Sequence, residues 1–185
     1  SRAPYYLGNL LYDGVPKEAA ALWETSASLG ASFPVLYRNL AMVYRQQGQS
    51  AEKAAAISQR AIAALEKAVE IGGSALLLFE LDQHYAEAGV APEKRLALLE
   101  KHHQTVLERD DALSREIGLK VFAGKYDEAI GLMRNRRFAL WEGGGRFTLS
   151  DFWTDAHLLR GHRAFAAKQY QQALADYRAS MEFPK

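Results

Sequence analysis

Apolar residues recur every three or four positions along most of this chain, and short turn-forming segments separate the periodic stretches. Near the start, Leu7, Leu10 and Leu11 fall on one helical face. A turn at residues 13–16 follows, in which Pro16 is well placed to open a second helix. The pattern therefore predicts pairs of helices joined by tight turns, repeated along the chain.

Five such helical hairpins are expected. The second has its turn at residues 47–49, and its return helix, over about 51–71, is rich in alanine and ends at two glycines. This helix is longer by about two turns than a hairpin repeat needs. The other hairpins are expected at about 4–30, 77–99, 110–138 and 155–183.

Two places depart from the regular pattern. Asp82 stands in the third hairpin where a small residue is usual, and a carboxylate there needs a partner if it is buried. Between the fourth and fifth hairpins, an irregular loop is predicted over about 136–150, because three consecutive glycines disfavour a regular helix. Ser150 or Asp151 is expected to cap the helix that follows the loop.

Composition narrows the function classes. Hydrophobic residues make up 49% of the chain, which is enough for a continuous core, and 23 basic residues balance 22 acidic ones. This balance argues against general attraction to nucleic acid or to an anionic membrane. No apolar run approaches the about 20 residues that a membrane helix requires. The absence of cysteine excludes disulfides and thiolate metal sites.

One short phrase recurs in the fourth and fifth hairpins, as GKYDEAI at residues 124–130 and KQYQQAL at 168–174. Each phrase places an aromatic residue after a turn and an alanine three positions later, so that the second helix passes close to the first. Together with similar small and aromatic positions elsewhere, the phrases resemble the tetratricopeptide repeat, a hairpin of about 34 residues. The matching positions are Leu7, Gly8, Ser26, Leu40, Ala41, Tyr44, Tyr126, Ala129, Gly161, Tyr170, Ala173 and Ser180.

This resemblance implies an all-α fold, a right-handed α-solenoid of about five hairpins forming a single domain over residues 1–185. Three longer phrases, at 4–12, 77–83 and 137–144, are similar to the C-terminal part of a bacterial family. In that family the repeats follow a β-rich domain of unknown function, itself similar to sugar-mutarotase folds. The second resemblance implies that the chain is a segment of a longer protein.

Candidate binding residues fall into two groups. The first helices of stacked hairpins line a concave groove, and the residues expected to project into it are Tyr5, Asn9, Tyr12, Arg38, Met42 and Arg45. The second group belongs to the irregular loop and its borders, where aromatic, basic and acidic residues suit recognition of a sugar or a domain surface: Arg136, Arg137, Trp141, Glu142 and Trp153. The alternative is that the groove residues are ordinary solvated side chains and that Trp141 fills the core.

No catalytic motif appears, and the histidines lack the spacing of metal ligands, so we expect neither catalysis by this segment nor a cofactor, and the activity of a full-length protein stays open. The leading prediction is a binding scaffold for a protein or peptide, including its own upstream domain. The alternative is an accessory module of a carbohydrate-active protein whose sugar site lies mainly in that upstream domain. Self-association through uncapped terminal hairpins is a third expectation, and the lack of a visible signal peptide favours the cytoplasm.

Overall fold

The computed structural model describes residues 1–47, 51–134, 136–139 and 145–182, with the side chains of 47, 51–57 and 145–148 left out. Regular structure in these ranges is entirely helical, which confirms the prediction of an all-α protein. The helices are α1 (Arg2–Leu11), α2 (Pro16–Ser28), α3 (Pro34–Gln47), α4 (Ala51–Gly72), α5 (Ala75–Glu87), α6 (Pro92–Lys101), α7 (His103–Val106), α8 (Asp110–Phe122), α9 (Tyr126–Arg134), α10 (Gly145–Ala166) and α11 (Tyr170–Ala179).

The chain divides into two compact units, here called the first unit (Ser1–Val90) and the second unit (Ala91–Lys185). The division falls in the turn between α5 and α6, where the third hairpin was expected to reverse direction. The assignment of one domain to the whole chain stays a prediction.

Consecutive helices pack on one another throughout the first unit, from α1 against α2 to α4 against α5. The crossing of α1 over α2 depends on Gly8, because a Cβ atom at that position would lie 2.5 Å from Nε1 of Trp23 and 3.1 Å from the carbonyl oxygen of Ala19. Trp23 is itself almost completely buried. A side chain at position 8 would therefore push the two helices apart, as expected for a small residue at this place.

In the second unit, α6 and α7 pack against α8, while α8 and α9 both pack against α10, which pairs with α11. Gly161 repeats the role of Gly8, since a Cβ atom there would lie 2.7 Å from the ring of Tyr177. Ala129 and Ala173, the alanines of the recurring phrase, are both buried.

Three local features refine the sequence prediction. α10 begins at Gly145, so the last part of the segment expected to be an irregular loop is helical. The prediction that Ser150 or Asp151 caps this helix is therefore wrong, because both residues lie within it. Glycine is tolerated at a helix start, where the first amide groups have no intrahelical partner.

A short helix, α7, interrupts the connection between the third and fourth hairpins and was not predicted. Asp82 is fully buried and, as expected, interacts with a neighbouring group.

The long return helix of the second hairpin is confirmed, since α4 has 22 residues and α2 has 13. None of the helices in the described part of the chain combines the length and apolarity needed to cross a membrane.

Candidate functional site

Three of the predicted groove residues line one small cavity in the first unit. The cavity has a volume of about 180 Å³, and we call it the amide pocket, after the two asparagines in its wall. Its lining residues are Asn9, Tyr12, Trp23, Asn39 and Met42. They come from α1, α2 and α3, so the packing of the first three helices forms the pocket.

Hydrogen bonds fix the side chains around the amide pocket. Trp23 Nε1 donates to Oδ1 of Asn9 at 3.1 Å and to the carbonyl oxygen of Tyr5 at 3.2 Å. Nδ2 of Asn39 donates to the same Asn9 oxygen at 3.4 Å. Because Oδ1 of Asn9 is occupied by these two donors, the NH2 group of Asn9 is the part of its amide left for other acceptors.

Ion pairs join α3 to α5 beside this pocket. Arg38 donates to both oxygens of Glu80, at 2.6 Å from Nη2 and 2.8 Å from Nε, and this hydrogen bonding raises the pKa of Arg38. One residue pair further along, Nη2 of Arg45 lies 3.0 Å from Glu87. Residues seven apart lie two helical turns apart on the same face, so the two pairs form a ladder with balanced charge.

The remaining groove residue, Tyr5, packs edge-on against Phe33 with ring centres 4.8 Å apart. The structure therefore brings together Asn9, Tyr12 and Met42, and places the Arg38 and Arg45 ion pairs on the same helix as Met42. Nε2 of Gln46 donates to the Tyr12 hydroxyl at 2.9 Å and links α3 to α1 at the outer end of the face.

The described residues among those predicted around the irregular loop, Arg136, Arg137 and Trp153, have different surroundings. Trp153 is buried, and its Nε1 donates to the carbonyl oxygen of Ala179 at 2.8 Å, so it serves the packing of α10 on α11. Arg137 is exposed, whereas Arg136 is held by Asp110. Trp141 and Glu142 lie outside the described residues, and the role assigned to them stays a prediction.

Arg136 borders a much larger groove in the second unit, with a volume of about 750 Å³. We call it the Lys120 groove, after the cation in its wall. Its lining comes from α6 to α9 and the segment after α9: Glu100, His103, Leu107, Leu113, Glu116, Lys120, Asp127, Glu128, Gly131, Leu132 and Arg136.

Three carboxylates surround the ammonium group of Lys120, whose side chain is only 6% exposed. Nζ lies 2.6 Å from Glu100, 2.6 Å from Glu128 and 3.5 Å from Glu116. Burial by itself would lower the pKa of Lys120, but the hydrogen bonds to Glu100 and Glu128 outweigh it and the pKa is raised. Hydrogen bonds from Lys120 and Lys125 lower the pKa of Glu100.

Glu116 connects this network to a histidine. Its carboxylate is fully buried and lies 2.9 and 3.0 Å from Nδ1 of His103. Since a carboxylate only accepts hydrogen bonds, Nδ1 of His103 carries the proton in this contact. Nε2 is then the ring nitrogen available for a ligand in the groove.

Sequence reasoning missed the Lys120 groove. One signal was present, because Glu116 and Lys120 are four apart on α8 and interleave with Leu113 and Ile117, which are buried. A charged pair on an apolar face indicates a buried ionic network. The partners Glu100, His103 and Glu128 come from other helices and could not be read from that spacing.

In the described part of the chain, no group of three or more His, Asp or Glu side chains is arranged to hold a metal ion. A scan of the chain against models of known protein families found no match.

Proposed function

We propose that the chain is a helical-repeat scaffold, a right-handed solenoid of tetratricopeptide type, that binds an extended protein segment on the α1–α3–α5 face of the first unit. The observation that supports this function best is the amide pocket, with its fixed asparagines and the Arg38–Glu80 ion pair on the same face. The role is binding, without catalysis.

The chemistry of the face suits a peptide backbone. An extended segment presents alternating N–H and C=O groups, and carboxamides bind both because they donate and accept. Asn9 offers its NH2 group as a donor to a peptide carbonyl, while Tyr12 and Met42 offer apolar contact to a side chain. Asn9 and Tyr12 are already ordered by hydrogen bonds from Trp23 and Gln46, which lowers the entropic cost of binding.

Balanced charge sets a second property of this face. Arg38 and Arg45 are each matched by a glutamate on α5, so the face has no net attraction for a strongly charged segment. We therefore propose a largely uncharged occupant, and binding that depends weakly on salt. The upstream domain implied by the family resemblance is one candidate source of that segment. The alternative of an accessory sugar-binding role depends on Trp141 and Glu142, and no described contact favours it.

The experiment is selection of short peptides from a display library on the whole chain, followed by titration of the selected peptides against two matched variants. Met42→Arg places a long cation in the amide pocket. Phe122→Arg makes the same charge change at an exposed position of the second unit. We expect Met42→Arg to weaken binding by about tenfold or more, which corresponds to about 1.4 kcal/mol, and Phe122→Arg to have no effect.

Thermal denaturation of both variants checks that folding is intact. Selected peptides that bind Met42→Arg as tightly as the wild-type chain would contradict the proposal. Failure to select any peptide from a diverse library would contradict it as well.

A further inference from the structure

The Lys120 groove is in the second unit and has no part in the proposed function. Some charged groups of its lining are already bonded to other groups of the protein, and others have hydrogen-bonding capacity left for a ligand. Lys120 directs its ammonium group at three carboxylates, those of Glu100, Glu116 and Glu128. Two of its three N–H groups donate to Glu100 and Glu128, and the Glu116 carboxylate lies 3.5 Å away, so the charge of this cation is already compensated.

The second cation of the lining is occupied in the same way. Nε of Arg136 donates to Asp110 at 2.7 Å, Nη1 donates to the carbonyl oxygen of Leu107 at 2.7 Å, and Nη2 lies 2.6 Å from Asp110. All three nitrogen atoms of the guanidinium group are thus engaged within the second unit. Neither cation of the groove is poised to recruit a phosphate or a carboxylate.

The carboxylates keep unused capacity. Each one offers about four lone-pair sites, more than the bonds that Lys120 and Lys125 supply. The Glu128 side chain is 54% exposed and that of Glu100 is 32% exposed, whereas that of Lys120 is 6% exposed. Four carboxylates line the groove, from Glu100, Glu116, Asp127 and Glu128, against two cations of the lining; Lys125 and Arg160, outside the lining, pair with Glu100 and Asp127. The ligand that matches this wall is a positively charged hydrogen-bond donor.

Apolar side chains complete the wall. Leu107, Leu113 and Leu132 line the same groove. Gly131 faces open space, because a Cβ atom built there would meet nothing within 4 Å. Arginine and lysine carry a charged end on an apolar stem, and such stems pack on leucine while the charged end reaches a carboxylate.

We propose that the Lys120 groove binds the cationic side chain of an arginine or lysine in a basic segment of a partner protein. The charged end of that side chain is held by Glu128 and Glu100, and its stem lies along Leu132 and Leu107. This site is independent of the amide pocket. It is expected to bind a positively charged segment, whereas the amide pocket is expected to bind a largely uncharged one.

Fluorescence polarisation of two labelled peptides tests the proposal. One peptide alternates leucine with arginine, and the other has glutamate in place of each arginine. We expect only the arginine peptide to bind, with an affinity that falls as salt is raised, because exposed carboxylates contribute to the contact. Equal binding of both peptides would overturn the proposal.

Two variants locate the binding. Gly131→Leu fills the open space of the groove, and Gly14→Leu is the matched control, since a Cβ atom at Gly14 in the first unit also meets nothing within 4 Å. Gly131→Leu is expected to weaken the arginine peptide by about tenfold or more, and Gly14→Leu to leave it unchanged. Glu128→Gln removes one exposed carboxylate and should weaken binding by a smaller factor. An unchanged affinity in both Gly131→Leu and Glu128→Gln would overturn the proposal.

Two further measurements are needed. One distinguishes a protein-borne cation from a free polyamine, and the other distinguishes the Lys120 groove from the amide pocket. Binding of the free polyamine spermidine with no measurable binding of the arginine peptide would overturn the assignment to a protein partner. Met42→Arg, which blocks the amide pocket, should leave the arginine peptide bound. Loss of that binding in Met42→Arg would show that the peptide occupies the first unit and would overturn the inference.

Discussion

The hydroxyl group of Tyr44 donates to Oε1 of Glu24 at 2.7 Å and ties α3 to α2. Arg60 from α4 donates to the same oxygen at 2.7 Å, and its guanidinium group lies over the Tyr44 ring at 4.2 Å from the centroid. Burial first, and then the bond to Glu24, raises the pKa of Tyr44 to about 12. A matching bond of 2.5 Å joins Tyr85 of α5 to Glu66 of α4, so consecutive hairpins of the first unit are linked in the same manner.

Tyr44→Phe removes the hydroxyl and leaves Glu24 paired with Arg60. We expect the free energy of unfolding to fall by about 1 kcal/mol, the usual net value of one partly buried hydrogen bond. Urea denaturation measures it, with Tyr6→Phe as the control because Tyr6 is largely exposed. An equal decrease in the free energy of unfolding in the two variants would show that the Tyr44–Glu24 hydrogen bond does not stabilise the fold.

Lys168→Gly is expected to stabilise the chain. Lys168 has a φ angle of 60°, in the left-handed region, and is the only non-glycine residue among those described with positive φ. Its counterpart in the recurring phrase is Gly124, with φ 75°. Releasing the strain of a β-carbon in this region should add about 1 kcal/mol to the free energy of unfolding. Lys168→Ala removes the charge but keeps the β-carbon, so it should give no such gain in the same denaturation experiment.

Lys120→Met is expected to be strongly destabilising. It leaves the fully buried carboxylate of Glu116 without its cation, and breaking one partner out of a buried ion pair costs about 3–5 kcal/mol. Adding Glu116→Gln removes the stranded charge and keeps an acceptor for His103, so the double variant should recover part of the loss. A double-mutant cycle by urea denaturation measures the coupling. Strictly additive effects would mean that Glu116 and Lys120 do not interact.

Protonation of His157 should destabilise the second unit at mildly acidic pH. Nδ1 of His157 bonds Asp176 at 2.8 Å, and Nε2 is buried with no hydrogen-bond partner among the described residues. Burial is the main cause that lowers the pKa of His157 below its ordinary 6.5, and the positive charge of Arg160 adds to it, against the opposing influence of Asp176. The unfolded chain therefore takes up the proton first as the pH falls.

Because the unfolded state binds the proton at higher pH, stability is complete above about pH 6.5 and falls as the pH decreases towards the lower pKa of the folded state. His157→Asn cannot titrate but can still donate to Asp176. We expect its urea midpoint to fall less between about pH 7 and pH 5 than that of the wild-type chain. His84 has a lowered pKa for the same main cause, so some pH dependence should persist in the variant. An identical pH dependence in both proteins would contradict the role of His157.

Turn chemistry explains why so much of the fold could be predicted from sequence. Pro16 opens α2 as expected, and Pro92 opens α6 in the same way, since each fixes a helical φ where no amide donor is needed. The small residues Gly8 and Gly161 sit at close helix crossings, as the repeat pattern predicted. The start of α10 was harder to place, because a run of glycines is compatible with a helix that begins at its last member.

The lining of the amide pocket was predictable in part, and its role in binding stays a prediction. Asn9, Tyr12 and Met42 were identified because the repeat resemblance implies a groove lined by the first helix of each hairpin, and helical periodicity places these residues on that side. Trp153 shows the limit of such reasoning: it was predicted to belong to a binding loop, yet α11 covers it. Whether a neighbouring helix covers a side chain is decided by tertiary packing, which local periodicity does not contain.

The enclosure of Lys120 by carboxylates gives the folded chain an internal chemical reporter. Acylating reagents attack the neutral amine, and the Lys120 amine is shielded from solvent and held in its protonated form by the surrounding glutamates. Its labelling rate, relative to that of an exposed lysine, therefore reports the opening of the second unit. Exposed Lys168, on the same chain, reacts without any opening and supplies the internal standard.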